Sequence, residues 1–223
     1  RIAFSSPGGA DDNLTGIWIF TLSDGILSQI SSNGRDVSWL YNNSELIYRV
    51  DNIHDEPAGI YKIDIDGNVD ATLLIENGHK PSGSPQNDFI AYSDNEIDGM
   101  MHIVDLDLTE VYQSDRGAVH WNWSYDGYTL FYIANNYLGG TISEVLWDVD
   151  LNHPEDADTL ARWATYPASD QSGQQVAFVR VQNGRVAGLW LHRKGEGEHR
   201  ITSYGQNPSF NPVRDQVATN SAG

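Results

Sequence analysis

The chain has 223 residues, no cysteine, and 31 acidic against 13 basic residues, which gives a formal net charge of −18 at pH 7. This acidic field repels phosphate backbones, so nucleic-acid binding is disfavoured. The absence of cysteine excludes disulfides and thiolate metal sites. The sequence also lacks the run of about 18 apolar residues that a membrane-spanning helix needs.

A short phrase returns along the chain about every 43 residues. It consists of an aromatic or small residue, a polar turn, and an apolar strand that starts seven residues after the first position. In the clearest copy, Trp123 is followed by the turn Ser124–Gly127 and the strand Leu130–Tyr132. The strands of the successive copies start at Ile2, Leu46, Ile90, Leu130, Val176 and Val217. A fixed period in this range predicts a repeat architecture.

Each repeat continues with a second β-rich run, a turn and a short outer run. The first repeat shows this order in Ile17–Phe20, Ser23–Gly25 and Leu27–Ile30. The runs are rich in β-branched and aromatic residues and are bounded by Gly, Asn, Asp and Pro, a pattern typical of strands and hairpins. With the segment ahead of the phrase, each repeat predicts four antiparallel strands, which is the composition of a propeller blade.

Several copies resemble a known repeat family. Trp123–Gly127 followed by Leu130–Tyr132 is similar to the core of TolB-type (WD-like) propeller repeats. Ser84–Pro85 and Asn207–Pro212 look like further copies. The resemblance implies an all-β propeller of four-stranded antiparallel blades. It also implies a part of a larger exported bacterial protein, with a periplasmic or extracellular location.

The repeats predict one domain over residues 1–223. Its segments are roughly 1–32, 33–75, 76–113, 114–163, 164–202 and the closing segment 203–223. A five-bladed ring is predicted if Pro208–Phe210 pairs with Ile2–Phe4, because closure within one blade removes open sheet edges. Val217–Thr219 then becomes a peripheral tail after about Asp215. The alternative is an incomplete six-bladed ring.

The candidate site residues follow from aligning the five copies. The position three residues before the aromatic is polar or aromatic in every copy and different each time, as expected of side chains that face a channel mouth or a partner. Trp121 joins them because it is an aromatic beside one of these positions. The predicted mouth residues are Asp36, Lys80, His120, Trp121, Tyr166 and Asn207. The alternative interpretation is an ordinary solvated edge.

The sequence shows no catalytic motif of a known kind. Glycosidase chemistry needs two converging carboxylates, and only Asp36 and Asp170 lie at inner-strand positions. Paired aspartates at strand ends are interpreted as turn residues, so no metal and no other cofactor is predicted. We therefore expect a non-catalytic recognition or scaffold propeller that binds a protein or peptide at the channel mouth, and no enzymatic activity. The alternative is a carbohydrate-active or peptidase-associated propeller, with a carbohydrate as the ligand. The oligomeric state is left open.

Overall fold

The computed structural model describes residues 1–7, 15–51, 57–67, 70–138, 141–211 and 216–220. Within these ranges the elements are β-strands, apart from one short 3₁₀ turn at Pro154–Asp156. Within each sheet, strands that are consecutive in the chain lie side by side, and the pairs are antiparallel. The predicted all-β, antiparallel fold is therefore confirmed.

The chain divides into two compact units. Unit 1 comprises residues 1–84, 88–96 and 102–109, and unit 2 comprises residues 85–87, 97–101 and 110–223. Each unit is described by itself below. The single domain and the number of blades stay predictions.

Unit 1 contains two complete sheets and a hairpin. The first sheet has the order β1-β2-β3, and the second has the order β4-β5-β6-β7. The hairpin joins β8 to β9. The strands are β1 (Ile2–Pro7), β2 (Thr15–Phe20), β3 (Leu27–Ser31), β4 (Arg35–Trp39), β5 (Glu45–Val50), β6 (Gly59–Asp64), β7 (Thr72–Glu76), β8 (His79–Gly83) and β9 (Phe89–Ser93), while β10 (Met100–Asp105) is divided between the units. Ile47, Ile60 and Ile90 have no exposed surface and centre one apolar cluster.

Unit 2 contains the longest strands. Strands β11 to β14 follow one another side by side, β15 to β18 form a four-stranded sheet, and β19 pairs with β20. The strands are β11 (Glu110–Trp123), β12 (Thr129–Leu138), β13 (Thr141–Asp150), β14 (Asp158–Arg162), β15 (Ala164–Ser169), β16 (Gln175–Gln182), β17 (Arg185–Arg193), β18 (Gly197–Thr202), β19 (Gln206–Phe210) and β20 (Val217–Asn220). The apolar cluster around Ile133, Leu146 and Phe178 is fully buried.

The structure corrects two predicted boundaries. Strand β11 is continuous over 14 residues, so the predicted division between residues 113 and 114 falls inside a strand. The predicted peripheral tail is also wrong, because Val217 pairs with Phe210 and both pack against a cluster that contains Leu189. The missing aromatic at Thr219 had suggested a peripheral segment. The partial burial of Val217 instead keeps this segment paired in a sheet. Residues 212–215 and 221–223 of the closing segment lie outside the described ranges.

The turn after Trp123 shows how the phrase folds. Ser124 Oγ accepts the backbone N–H of Thr129 at 3.0 Å, and Asp126 Oδ1 accepts that of Tyr128 at 3.1 Å. Gly127 has φ +75°, a left-handed conformation that glycine adopts without steric cost. The small and acidic residues of the phrase are therefore explained by this turn, and they are not needed as ligands.

Candidate functional site

Four of the predicted mouth residues share one backbone conformation. Each lies at a β-bulge of its inner strand, where two residues face one residue of the partner strand. A positive φ is uncommon for a residue other than glycine. The four residues and their φ angles are Asp36 (+54°), Lys80 (+50°), Tyr166 (+52°) and Asn207 (+47°).

His120 departs from this pattern. In β11 the extra residue is Val119, one position earlier, and His120 pairs regularly with Ile133 of β12. His120 is exposed, whereas Ile133 is fully buried. The backbone that carries the imidazole is thus paired, one residue after the bulge, with a strand that is anchored in the core.

The structure brings His120 and Tyr166 together. Their ring centroids lie 5.0 Å apart with 34° between the planes, a separation typical of attractive aromatic contacts. Tyr166 is 46% exposed. Its neighbours Thr165 and Ala168 are buried, so the backbone beneath the ring is fixed. We call His120 and Tyr166 the aromatic pair.

Two tryptophans lie on the same strands or next to them. Trp121 is half-buried and opposite Tyr132. Trp163 immediately precedes β15, has φ +55° and is 46% exposed. Trp163 is not among the predicted mouth residues, because it precedes the aligned position in its repeat.

The remaining predicted residues are described within their own units. In unit 1, Asp36 is exposed and Lys80 is half-buried. Arg35, next to Asp36, bonds Glu96 at 2.9 Å and Asp51 at 3.1 Å. In unit 2, Asn207 is exposed. A joint site formed by all six residues stays a prediction.

A cleft in unit 2 was missed by the sequence reasoning. It has a volume of about 320 Å³ and is lined in part by Asn122, Tyr125, Asp170 and Phe210. These residues follow the predicted mouth positions along the chain, at the end of the strand or in the turn after it. The available signal was Tyr125, an aromatic residue inside the turn of the clearest copy of the phrase.

A second cavity of about 480 Å³ is acidic and is lined by Asp148, Asp158 and His192 among others. Asp148 is only 8% exposed, and burial raises the pKa of its carboxyl group above the ordinary value. Burial lowers the pKa of His192. Nearby, donor atoms of the exposed residues His153, Glu155 and Asp156 lie within 4.8 Å of one another. Exposed groups of this kind are ordinarily solvated, and the acidic cavity is assigned no ligand.

Comparison with known proteins supports the propeller fold. No protein-family model and no curated protein sequence matches the chain. A structure of oligogalacturonate lyase in complex with manganese matches with a TM-score of 0.71 and 16% identity, over 92% of this chain and 68% of that one. TolB from Acinetobacter baumannii matches with a TM-score of 0.60 and 15% identity, over 88% and 51% of the two chains. An acylaminoacyl peptidase from Pyrococcus horikoshii matches with a TM-score of 0.58 and 12% identity, over 76% and 32%.

These identities show the fold alone. The chain spans about two thirds of the lyase, half of the TolB chain and a third of the peptidase. The likeness to TolB is one of propeller structure, and membership of its repeat family stays a prediction, as does the periplasmic or extracellular location. In the part of the chain that the structure describes, no helix is long and apolar enough to cross a membrane.

The expectation of a non-catalytic scaffold that binds a protein or peptide is contradicted. Structures similar to this chain include the propellers of a lyase and of peptidases, which are enzymes. The physical reason is that a propeller assembles a site from several blades, so catalytic groups can stand far apart in sequence without a local motif. The missing motif was therefore no argument against catalysis.

Proposed function

We propose that this chain is the propeller of a carbohydrate-active protein and that the aromatic pair binds a sugar ring. The observation that carries the proposal is the exposed contact between His120 and Tyr166 on two adjacent inner strands. The likeness to oligogalacturonate lyase supports the substrate class.

The chemistry of the pair suits a sugar. An exposed phenol ring offers an apolar face to the C–H groups of a pyranose, and its hydroxyl group can bond a sugar hydroxyl. The imidazole of His120 can donate one hydrogen bond and accept another.

The pair is also preorganised. Tyr166 follows the buried Thr165, and His120 lies opposite the buried Ile133. Binding therefore requires little ordering of the backbone, and less of the interaction energy is lost to entropy. The net charge of −18 repels polyanions at long range. We therefore expect affinity for acidic sugars to rise with added salt and affinity for neutral sugars to be nearly salt-independent.

The test is calorimetric titration of the chain with neutral oligosaccharides and with oligogalacturonates. We expect Tyr166→Ala and His120→Ala each to weaken binding by about tenfold, the effect of a single anchor residue. Tyr204→Ala is the matched control, because Tyr204 is 63% exposed and lies outside the inner strands.

Three results would contradict the proposal. The first is an affinity that is unchanged in both variants of the pair. The second is an equal loss in Tyr204→Ala. The third is that the chain binds peptides through Tyr166 and binds no saccharide.

A further inference from the structure

The cleft lies at the turn end of the same inner strands and is separate from the aromatic pair. Its volume of about 320 Å³ falls in the range of small-ligand sites. Pro167, Pro208 and Phe210 supply an apolar wall, and Asn122, Asp170 and Gln171 supply polar groups. A mixed lining of this kind fits a ligand that has both apolar faces and hydroxyl groups.

The amide of Asn122 is fixed in one orientation. Its Oδ1 accepts the backbone N–H of Ser169 at 3.0 Å, while the hydroxyl group of Ser169 lies 2.8 Å from this Oδ1 and 2.7 Å from the carbonyl oxygen of Trp123, either of which can accept its proton. A backbone N–H can only donate, so the oxygen must face Ser169 and the NH₂ group must lie on the other side. Asn122 therefore presents a donor of defined direction.

The carboxylate of Asp170 is held just as firmly. Oδ1 accepts the backbone N–H of Gln175 at 3.1 Å, and Oδ2 accepts the hydroxyl of Ser172 at 2.8 Å. Each oxygen keeps a second lone pair for a further donor. An oriented amide donor and an oriented carboxylate acceptor in one cleft match a pair of neighbouring hydroxyl groups, each of which donates and accepts.

Tyr125 supplies the aromatic face. It lines the cleft and is 47% exposed, whereas Trp123 beside it is only 8% exposed and belongs to the interior. The equivalent position holds Tyr41 after β4 and Gln171 after β15, so the turn accepts a tyrosine but does not require one.

From this arrangement we infer that the cleft is a second saccharide subsite, specific for a neutral sugar ring stacked on Tyr125 and bonded by Asn122 and Asp170. The inference rests on the proposed function and adds a site and a ligand class to it. Neither lysine nor arginine is among the residues that line the cleft, and Asp170 repels anions, so uronates and sugar phosphates are excluded from it. Among the residues that line the cleft, Trp123 is buried, so Tyr125 offers the only accessible indole or phenol ring. A single ring of this kind does not make a groove for a proline-rich peptide, so such a ligand is disfavoured.

The test uses the whole chain and follows backbone amide chemical shifts and affinity during titration. The probes are short neutral oligosaccharides, oligogalacturonates and a decaproline peptide. We expect a neutral oligosaccharide to shift amides around residues 122–126 and 169–172. We also expect Tyr125→Ala and Asp170→Asn each to weaken that interaction about tenfold. Tyr128→Ala is the matched control, because Tyr128 lies in the same turn region, is 40% exposed and does not line the cleft.

Each other outcome has a defined meaning. Sugar binding that depends on Tyr166 but not on Tyr125 overturns this inference and leaves the proposed function standing. Loss of binding in Tyr128→Ala as large as in Tyr125→Ala also overturns it. So does binding of oligogalacturonate or decaproline at Tyr125 in preference to neutral sugar. Binding that depends on Tyr125 but not on Tyr166 supports the cleft and contradicts the aromatic pair as the sugar site.

Discussion

Strands β11 and β15 belong to the same unit and the same repeat phrase, yet they bulge differently. In β15, Tyr166 and Pro167 together face Phe178, and Tyr166 is left-handed at φ +52°. In β11 the extra residue is Val119, and His120 keeps a regular pairing with Ile133. Proline lacks the N–H that a regular ladder requires, and β11 has Trp121 at the place of Pro167.

The comparison separates backbone geometry from function. The left-handed bulge recurs at Asp36, Lys80 and Asn207. It is therefore a feature of the repeat fold and does not by itself mark a functional site. What varies is the side chain that the bulge carries. The aromatic pair exists because one repeat places a tyrosine within its bulge and its neighbour places a histidine directly after its bulge.

The largest expected effect comes from removing the core residue opposite the β15 bulge. Phe178 is fully buried, so we expect Phe178→Ala to lower the free energy of unfolding by about 3–5 kcal/mol. The exposed Thr219 faces the β19 bulge in the same way. We expect Thr219→Ala to change the free energy of unfolding by less than about 1 kcal/mol. Urea denaturation measures both. Similar losses of unfolding free energy in the two variants would contradict this difference between the two bulges.

The next effect compares Arg180, which lies on β16 opposite Ala164 of β15, with Arg116, which lies on β11. Arg180 lies 4.1 Å from the Trp190 ring centroid and bonds Glu198 at 2.6 Å, with 11% of its side chain exposed. Arg116 lies 5.9 Å from Trp147 and is 38% exposed. We expect Arg180→Met to cost about 1–3 kcal/mol and Arg116→Met less than about 0.5 kcal/mol. Equal thermal shifts would contradict this difference.

A smaller effect tests the bulge itself. Asparagine tolerates the left-handed region better than tyrosine, and Asn207 already occupies the equivalent position. Tyr166→Asn should therefore stabilise the fold by about 0.5 kcal/mol while it weakens sugar binding. His120 does not have a positive φ, so His120→Asn should give no such gain. A destabilised Tyr166→Asn protein, or an equal gain in both, would falsify the distinction.

The smallest effect is a dependence on pH at the β8 bulge. His79 precedes Lys80 there, whereas the equivalent residue in β15 is Thr165, which does not titrate. Burial and then the charge of Arg49 lower the pKa of His79 from its ordinary value of 6.5. The folded state thus favours the neutral ring, and the stability that this contributes is present above about pH 6.5 and is lost as the pH falls below it.

We expect His79→Gln to reduce the fall in melting temperature between about pH 7.5 and about pH 5.5. His199→Gln, at an exposed histidine, is the control. An unchanged fall in the His79 variant, or an equal reduction in the control, contradicts the assignment. The charges of Glu96 and Asp51 offset part of this lowering of the His79 pKa. The expected change in melting temperature is therefore small.

The sequence predicted the strands well because their signal is local. The seven-residue spacing from Trp123 to Leu130 and from Ser169 to Val176 encodes a turn and a strand, and both form as expected. The spacing did not reveal the 14-residue β11 or the pairing of β19 with β20. Those depend on which apolar faces are buried, and burial is a property of the packed molecule.

For the candidate site, alignment of the copies selected His120 and Tyr166, but the 5.0 Å contact between their rings could not be read from residues 46 positions apart. The cleft was missed altogether, since Asn122 gains its direction only from Ser169. The sequence alone thus determined the period, the turn chemistry and the class of fold, which follow from local propensity and alternation. Only the tertiary structure decided the bulge positions, the aromatic pair and the cleft, because each depends on contacts between strands that the chain brings together by folding.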